Sequence, residues 1–301
     1  MLDANRLRVL VEVARAGSIS LAAERMSFTP PALSQQLTKL EGEVGCVLLE
    51  RGRGGVALTE AGRVLLAHGE RVLGELRAAE DAVRATLAAA PPTLALGAFA
   101  SAGKALVPGA LAAFRRAHPH ARLALSDVEP PHGYGLVTSG DLDLLITHRY
   151  PGTSLPSAGG LHREALLRDP LLLVLPEQHP AAHTRPGLAD LAGEEWISGA
   201  PGVYNRVALE NAAAAVGVVL DVAYETRDYE VALALIRAGV GVGLVPLTIL
   251  HADSGAGWSA HRPHDLDLAR EIHIVHRRRP RDAVSAMVAT LRASAGAALP
   301  P

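Results

Sequence analysis

Four side chains suited to a polyanion with readable edges fall within six residues: Ser34, Gln35, Thr38 and Lys39. A glutamine amide can bond an adenine edge in a bidentate manner, an ammonium can meet a phosphate, and short hydroxyl side chains suit both. Leu33, Leu37 and Leu40 are interleaved with them at a spacing that turns the leucines to one helical face and the polar groups elsewhere. Thr29 is a good N-cap and Pro30-Pro31 is tolerated in a first turn, so a helix should start there and break at Gly42 and Gly45. A second basic group follows. Val47-Leu48-Leu49 and Val56-Ala57-Leu58 flank Glu50-Arg51-Gly52-Arg53-Gly54-Gly55, which reads as a β-hairpin with Arg51 and Arg53 at its tip. Arginine at such a tip suits the negative potential of a minor groove or a row of phosphates.

These groups need a scaffold. Leu7, Leu10, Val11 and Ala14 form one helical face that ends at Gly17. Ser18 and Ser20 can cap a second helix, in which the small residues Ala22 and Ala23 allow close helix approach. A helix-turn-helix over about 18–38 would lay its second helix in a major groove, with Ser20 and Thr29 at the helix starts facing the duplex. By pattern alone a small helical bundle with a solvated polar face reads equally well; the basic hairpin tips the balance toward nucleic acid. Residues 1–63 carry eight Lys+Arg against seven Asp+Glu, a net of +1, so affinity should depend on pairing two copies.

Residues 59–90 read as one long helix capped by Thr59 and Glu60. Leu65, Val72, Leu76, Val83 and Leu87 step by seven, four, seven and four, the a/d seam of a dimerisation helix, with charges of both signs on the remaining faces. Pro91-Pro92 closes the segment, since the residue before a proline is pushed out of the helical region. From residue 93 strand-like and helix-like runs alternate, the pattern of an α/β domain. The strands expected are Thr93–Phe99, Arg122–Val128, Leu142–Thr147, Leu171–Leu175, Trp196–Ser198, Val242–Val245 and Glu271–His276. The helices expected run from Ser101 to Arg116, from Tyr229 to Ala238 and from Ala283 to Ala293.

The bulk numbers bound the class. The 301 residues are 49% hydrophobic and 20% charged, with a net charge of −2, so the chain as a whole attracts no polyanion. Cys46 is the sole cysteine, which excludes an intrachain disulfide, a Cys-rich zinc site and a two-cysteine peroxide sensor. The start of the chain lacks a basic-then-apolar leader pattern, and the apolar run Leu166–Pro176 is too short to span a bilayer and carries Arg168 and Asp169. The expected location is the cytoplasm.

The N-terminal series resembles the LysR-type transcriptional regulators. It runs Gly17-Ser18, Ala22-Ala23, Pro31-Ala32-Leu33-Ser34-Gln35-Gln36-Leu37, Leu40-Glu41, Gly45, Leu48-Leu49-Glu50-Arg51 and Leu58-Thr59-Glu60-Ala61-Gly62. Two departures stand out. The family's usual Ser/Thr-Gln-Pro start of the recognition helix is Thr29-Pro30-Pro31, so Pro30 supplies no amide contact, and the usual Phe before the wing is Leu49.

The resemblance implies an α+β and α/β multidomain chain. Its parts would be a winged helix-turn-helix over 1–58 with its wing at 46–58, a linker helix over 59–90 that pairs antiparallel, and a periplasmic-binding-protein-like effector domain over 93–301. In that domain lobe one would take 93–164 and 269–301 and lobe two 165–268, with crossings near 164–168 and 264–269. DNA contacts would fall to Ser20, Thr29, Pro30, Pro31, Ser34, Gln35, Thr38, Lys39, Arg51 and Arg53. Effector contacts would come from Ser101, Ala102, Thr147, His148, Ser198, Gly199, Tyr204 and Pro246, with Arg149 or Arg227 nearest if the ligand is an anion. Promoter DNA, a small-molecule effector and a second copy, in a homodimer or homotetramer, are the implied partners; RNA polymerase is a further candidate.

Other motifs are set aside. Gly239-Val240-Gly241-Val242-Gly243 leaves a helix and enters a strand, the reverse of a dinucleotide loop. The pairs His118/His120, His261/His264 and His273/His276 lack cysteine partners and read as surface or strand-face residues. Asp141/Asp143 read as a turn and a cap. No nucleophile elbow, Walker loop or other catalytic constellation is present, so neither enzyme activity nor a metal or cofactor is expected. A solute-binding component and an α/β hydrolase or transferase are the competing readings.

Overall fold

In a computed structural model of the chain, residues 1–52, 55–86, 93–156, 159–253 and 256–298 are described. The helices are α1 (Ala4–Ala16), α2 (Ile19–Arg25), α3 (Pro30–Val44), α4 (Glu60–Thr86), α5 (Ala100–Ala105), α6 (Val107–Ala117), α7 (Gly133–Thr138), α8 (Tyr204–Ala215), α9 (Tyr229–Arg237), α10 (Leu247–Ala252) and α11 (Asp282–Ala298). The strands are β1 (Leu49–Gly52), β2 (Gly55–Leu58), β3 (Thr93–Ala98), β4 (Arg122–Asp127), β5 (Leu144–Arg149), β6 (Leu161–Pro176), β7 (Glu195–Ser198), β8 (Asp221–Glu225), β9 (Val242–Pro246), β10 (Trp258–His261) and β11 (Ala269–Arg277). They form two compact units: Met1–Pro91 with His132–Asp143, and Pro92–Pro131 with Leu144–Pro301.

The first unit is built around Leu7, Leu10, Val13, Leu33, Leu37, Leu40 and Leu48, with Ala22 and Ala23 fully buried where α2 meets its neighbours. Its caps follow the sequence. Asp3 accepts from the amides of Asn5 and Arg6, Ser18 from Leu21 and Thr29 from Ala32, and Gly17 and Gly45 close α1 and α3 in the left-handed region. Gly42 does not break α3 as expected, because an interior glycine costs a helix only about 1 kcal/mol and the stop is made at Gly45. The long helix ends at Thr86, so Leu87 lies outside the described residues, as does Arg53.

Segment 132–143, which lies between β4 and β5, packs on this unit. Arg15 at the end of α1 donates to Asp141 (2.8 Å), to Ser139 Oγ (2.7 Å) and to the carbonyl of Gly135 (3.2 Å), and Arg77 of α4 pairs with the same Asp141. A Cβ on Gly74 would run into the carbonyl oxygen of Thr138, so a glycine in α4 is what lets α7 lie so close. Burial pushes the Asp141 carboxyl up, but the hydrogen bonds from Ser139, Arg15 and Arg77 outweigh it and hold the group below its ordinary range. Glu70, buried beside Arg15, is pushed up by that burial. Asp141 is thus more than the turn residue the sequence suggested.

The second unit is one mixed sheet in the order β4-β3-β5-β11-β6-β9-β7-β8, with β10 added on β6. β3 is parallel to β4 and β5, and β7 to β8 and β9, while β6 and β11 run antiparallel to their neighbours. β6 pairs with β11 over 161–170 and with β9 and β10 over 171–176. It is therefore far longer than the expected Leu171–Leu175; Arg163, Glu164 and Arg168 interrupt the apolar run, yet an antiparallel strand with one wetter face accepts them. One core is made by α5, α6 and α11 against β3, β5 and β11, around Phe99, Phe114 and Met287. Two others flank the far end of the sheet, one around Trp196 and Leu209, the other around Leu233 and Ile249. The single expected helix from Ser101 to Arg116 is two, α5 and α6, parted at Leu106, because Pro108 has no N–H and its ring excludes a continuous helix. Helices α7, α8 and α10 and strands β8 and β10 were not anticipated.

Candidate functional site

Each unit presents one site. In the first, Leu33, Leu37 and Leu40 anchor α3 in the core, which turns the opposite side outward. Gln35, Thr38 and Lys39 are exposed, as are Ser20, Thr29, Pro30 and Pro31, while Ser34 is half-buried. Thr38 Oγ1 donates to the Ser34 carbonyl (3.1 Å), and Thr29 Oγ1 is taken by its capping bond. The turn between α2 and α3 passes through Ser27 at φ +57°, and Phe28 is left 45% exposed beside the start of the recognition helix, a neighbour the sequence reading missed.

The wing is fixed to this helix at its root. Glu41 of α3 accepts from the amides of Leu48 (2.9 Å) and Leu49 (3.4 Å), and the Thr59 amide donates to the Leu48 carbonyl (3.0 Å). β1 and β2 pair in register, with Arg51 opposite Val56. The Val56 amide donates to the Gly17 carbonyl (3.0 Å), tying the wing to the turn after α1. Gly55, at φ +113°, lies so close that a Cβ would stand 2.6 Å from that same oxygen. Helix α3 and the root of the hairpin are thus pinned to each other.

In the second unit a cavity of 390 Å³ opens between α5, the β5 end, the start of α8, the start of α9 and β11. Its floor is Arg270, 1% exposed, with every N–H engaged. Nε donates to Asp169 Oδ2 (2.9 Å) and Nη2 lies 2.9 Å from the same oxygen. Nη1 donates to Ser101 Oγ (2.9 Å) and Tyr150 OH (3.3 Å), and Nη2 also to Thr248 Oγ1 (3.4 Å). Asp169, fully buried, also accepts from the Thr248 amide and hydroxyl (3.0 and 2.7 Å). The guanidinium stands against the rings of Phe99, Tyr150 and Tyr229, and the two tyrosine hydroxyls share a 2.5 Å hydrogen bond. Burial alone would draw the Arg270 pKa down; the tyrosine oxygens and Asp169 outweigh it and leave the charge fixed. Burial pushes the Tyr229 phenol well up, so it stays protonated.

His148 forms one wall. Its ring meets Phe99, Tyr150 and Tyr204 edge to face at 4.6, 5.1 and 5.9 Å. Burial pulls its pKa down, against the pull of Glu129, whose Oε2 lies 3.5 Å from Nε2. That contact in turn is the main reason the Glu129 carboxyl sits below its ordinary value. At the rim Lys104 of α5 pairs with Glu230 of α9.

Of the expected effector residues, Ser101, His148 and Tyr204 line this cavity, and so does Arg227. Ala102, Thr147, Ser198, Gly199, Pro246 and Arg149 are not among the lining residues. Ala102 is turned into the α5 core, and Thr147 is the strand neighbour of His148, so the two take opposite faces of β5. Gly199 abuts Val203 and Asn205, Pro246 pairs in the sheet opposite Leu171, and Arg149 is bonded to Glu271. The sequence reading missed Arg270, Asp169, Tyr150 and Tyr229. Two signals were there: Asp169 sits inside an apolar run, and Arg270 shares a strand face with Ile272 and Ile274. Among the described residues no three of His, Cys, Asp or Glu gather as a metal cluster, and no helix is long and apolar enough to cross a membrane.

Two family models match the chain. Residues 4–63 match the family described as bacterial regulatory helix-turn-helix protein, lysR family, and residues 88–296 match the LysR substrate binding domain. The transcriptional regulator CfxR of Cupriavidus necator is 32% identical over 211 residues, 69% of this chain and 64% of that protein. CbbR of Xanthobacter flavus is 30% identical over 256 residues, 84% of this chain and 75% of CbbR. The LysR-family regulator CbnR, at 22% identity, has the same fold over 98% of this chain and 99% of its own (TM-score 0.60), and it has also been solved with its target DNA. The chain belongs to the LysR family. It is a LysR-type DNA-binding transcription regulator with an effector-binding domain.

Proposed function

We propose that the protein binds a dyad-symmetric promoter site as a dimer or tetramer, with α3 in the major groove and the wing beside it, and that a small metabolite in the 390 Å³ cavity sets its activity. The observation that carries this is the cavity itself: Arg270, Ser101, Tyr150 and Thr248 form a closed hydrogen-bond network under an open, aromatic-walled space, a preformed receptor rather than a catalytic arrangement. We read residues 1–58, 59–90 and 93–301 as DNA-binding, linker and effector segments. Lobe one is 93–164 with 269–301, and lobe two is 165–268. Gln35, Thr38, Lys39 and the wing arginines contact DNA, and the protein acts in the cytoplasm by binding, with RNA polymerase as its downstream partner. Dimerisation falls to α4, where Val64, Val72, Leu76 and Val83 are 44–59% exposed along one stripe. Gel shifts with the DNA upstream of the protein's own gene, under excess nonspecific competitor and a salt titration, test the reading. A competitor-resistant complex whose affinity responds to a cell extract of small metabolites is expected; a complex indifferent to every metabolite fraction would overturn the effector role.

A further inference from the structure

The charges around the cavity are unevenly committed. Three cations line it. Arg270 spends all its N–H groups on Asp169, Ser101, Tyr150 and Thr248, and Lys104 is paired with Glu230. Only Arg227 makes no ion pair among the described residues. Four carboxylates line it: Asp127, Glu129, Asp228 and Glu230. Asp228 holds the Glu230 amide as the cap of α9 and Glu230 holds Lys104; Glu129 meets the His148 ring at 3.5 Å and also the Ala100 amide and the Arg227 charge, whereas Asp127 makes no ion pair among the described residues. An anionic ligand would therefore enter a space with a surplus of negative charge, and its one uncommitted cation already faces Glu129.

A second observation is independent of the carboxylates. His148 is 6% exposed, and its Nδ1 has no hydrogen-bond partner. Its Nε2 is the nitrogen turned to Glu129, so the proton sits there and Nδ1 is a bare acceptor. Nδ1 itself is covered by the protein, so what His148 offers a ligand is its ring. Around it stand aromatic rings, of which Tyr204 is not used by Arg270. Aromatic walls and a surplus of carboxylates over cations are what a protonated nitrogen requires.

The geometry points to an effector that carries a protonated nitrogen, held by Glu129 and Asp127 against the His148 and Tyr204 walls, an assignment that rests on the effector reading of the cavity. Matched pairs test it on the full chain: phenethylamine against 3-phenylpropionate, and putrescine against succinate, by calorimetry and thermal shift, followed by gel shift. The amines should bind at least about tenfold more tightly than the acids of like skeleton. Glu129→Gln and Asp127→Asn should each weaken amine binding by about tenfold, and Asp127→Asn, at an exposed position, keeps the test sound if the first variant folds poorly. Acids that bind as well as the amines, amine binding unchanged in both variants, or no binding of either class at low-millimolar concentration would overturn the assignment. The two readings fail separately. Acids that bind and alter the DNA complex would sink the nitrogen assignment and keep the effector role, whereas amines that bind without ever altering the DNA complex would do the reverse.

Discussion

The two sites use similar residue types in opposite ways. On α3 Gln35, Thr38 and Lys39 stand on the surface, supplied in order by a single helix. In the cavity the polar groups come from β3–α5, β5, β6, α10 and β11, are buried, and mostly satisfy one another before any ligand arrives. A surface that reads an external polymer can leave its groups to water, because a duplex will replace that water. The buried network under the cavity cannot, because each unpaired polar atom there carries the full cost of desolvation. The first site should thus tolerate truncation in its fold and lose binding, and the second should lose its fold first.

Asp169→Ala sharpens that contrast most. It strips the counterion from a buried guanidinium and should destabilise the second unit by about 3–5 kcal/mol in chemical denaturation; a variant as stable as the parent would show that Arg270 needs no partner. Gly55→Ala, which forces a Cβ toward the Gly17 carbonyl at a positive φ, should cost about 1–3 kcal/mol locally, raise amide exchange in the wing and weaken DNA binding. Gln35→Ala should reduce specific operator affinity by about 1–3 kcal/mol with an unchanged melting temperature, whereas Lys39→Ala should weaken binding to all sequences and lower the salt slope by about 1. A melting temperature that falls in either α3 variant would erase the distinction between the two sites.

The smallest effect is on pH. His148, facing Glu129 and Arg270, has a folded pKa below its unfolded 6.5, so the fold resists the proton that the unfolded chain accepts. Stability should be full above about pH 6.5 and fall as pH drops below it. His148→Gln should flatten that decline in a pH series of denaturation curves, and an identical slope in both proteins would assign it to other groups.

The contrast also explains what could be read in advance. Recognition helix, wing and linker are each local, so N-caps such as Thr29, the Leu33–Leu37–Leu40 face and the glycine-rich hairpin carried them in the sequence. The cavity is assembled by sheet topology, and no spacing links Ser101, Asp169 and Arg270. The family resemblance supplied Ser101, His148 and Tyr204, whereas Thr147 and Ala102 were named from the right turns without knowing which face each side chain takes. The inserted helix α7 and its ties to Arg15 had no local signature, since a six-residue helix with two glycines has no pattern of its own.

Those ties bear on how the chain can be taken apart. A fragment beginning after Pro92 is the obvious choice of ligand-binding reagent, yet it would carry 132–143 away from Arg15, Arg77 and the glycine shelf at Gly74. Asp141 and Ser139 would face solvent without their guanidinium partners. Anyone engineering a biosensor from the ligand half alone should therefore expect an orphaned loop, and a hybrid regulator made by swapping helix-turn-helix heads should transplant the contact residues of α1 and α4 along with them.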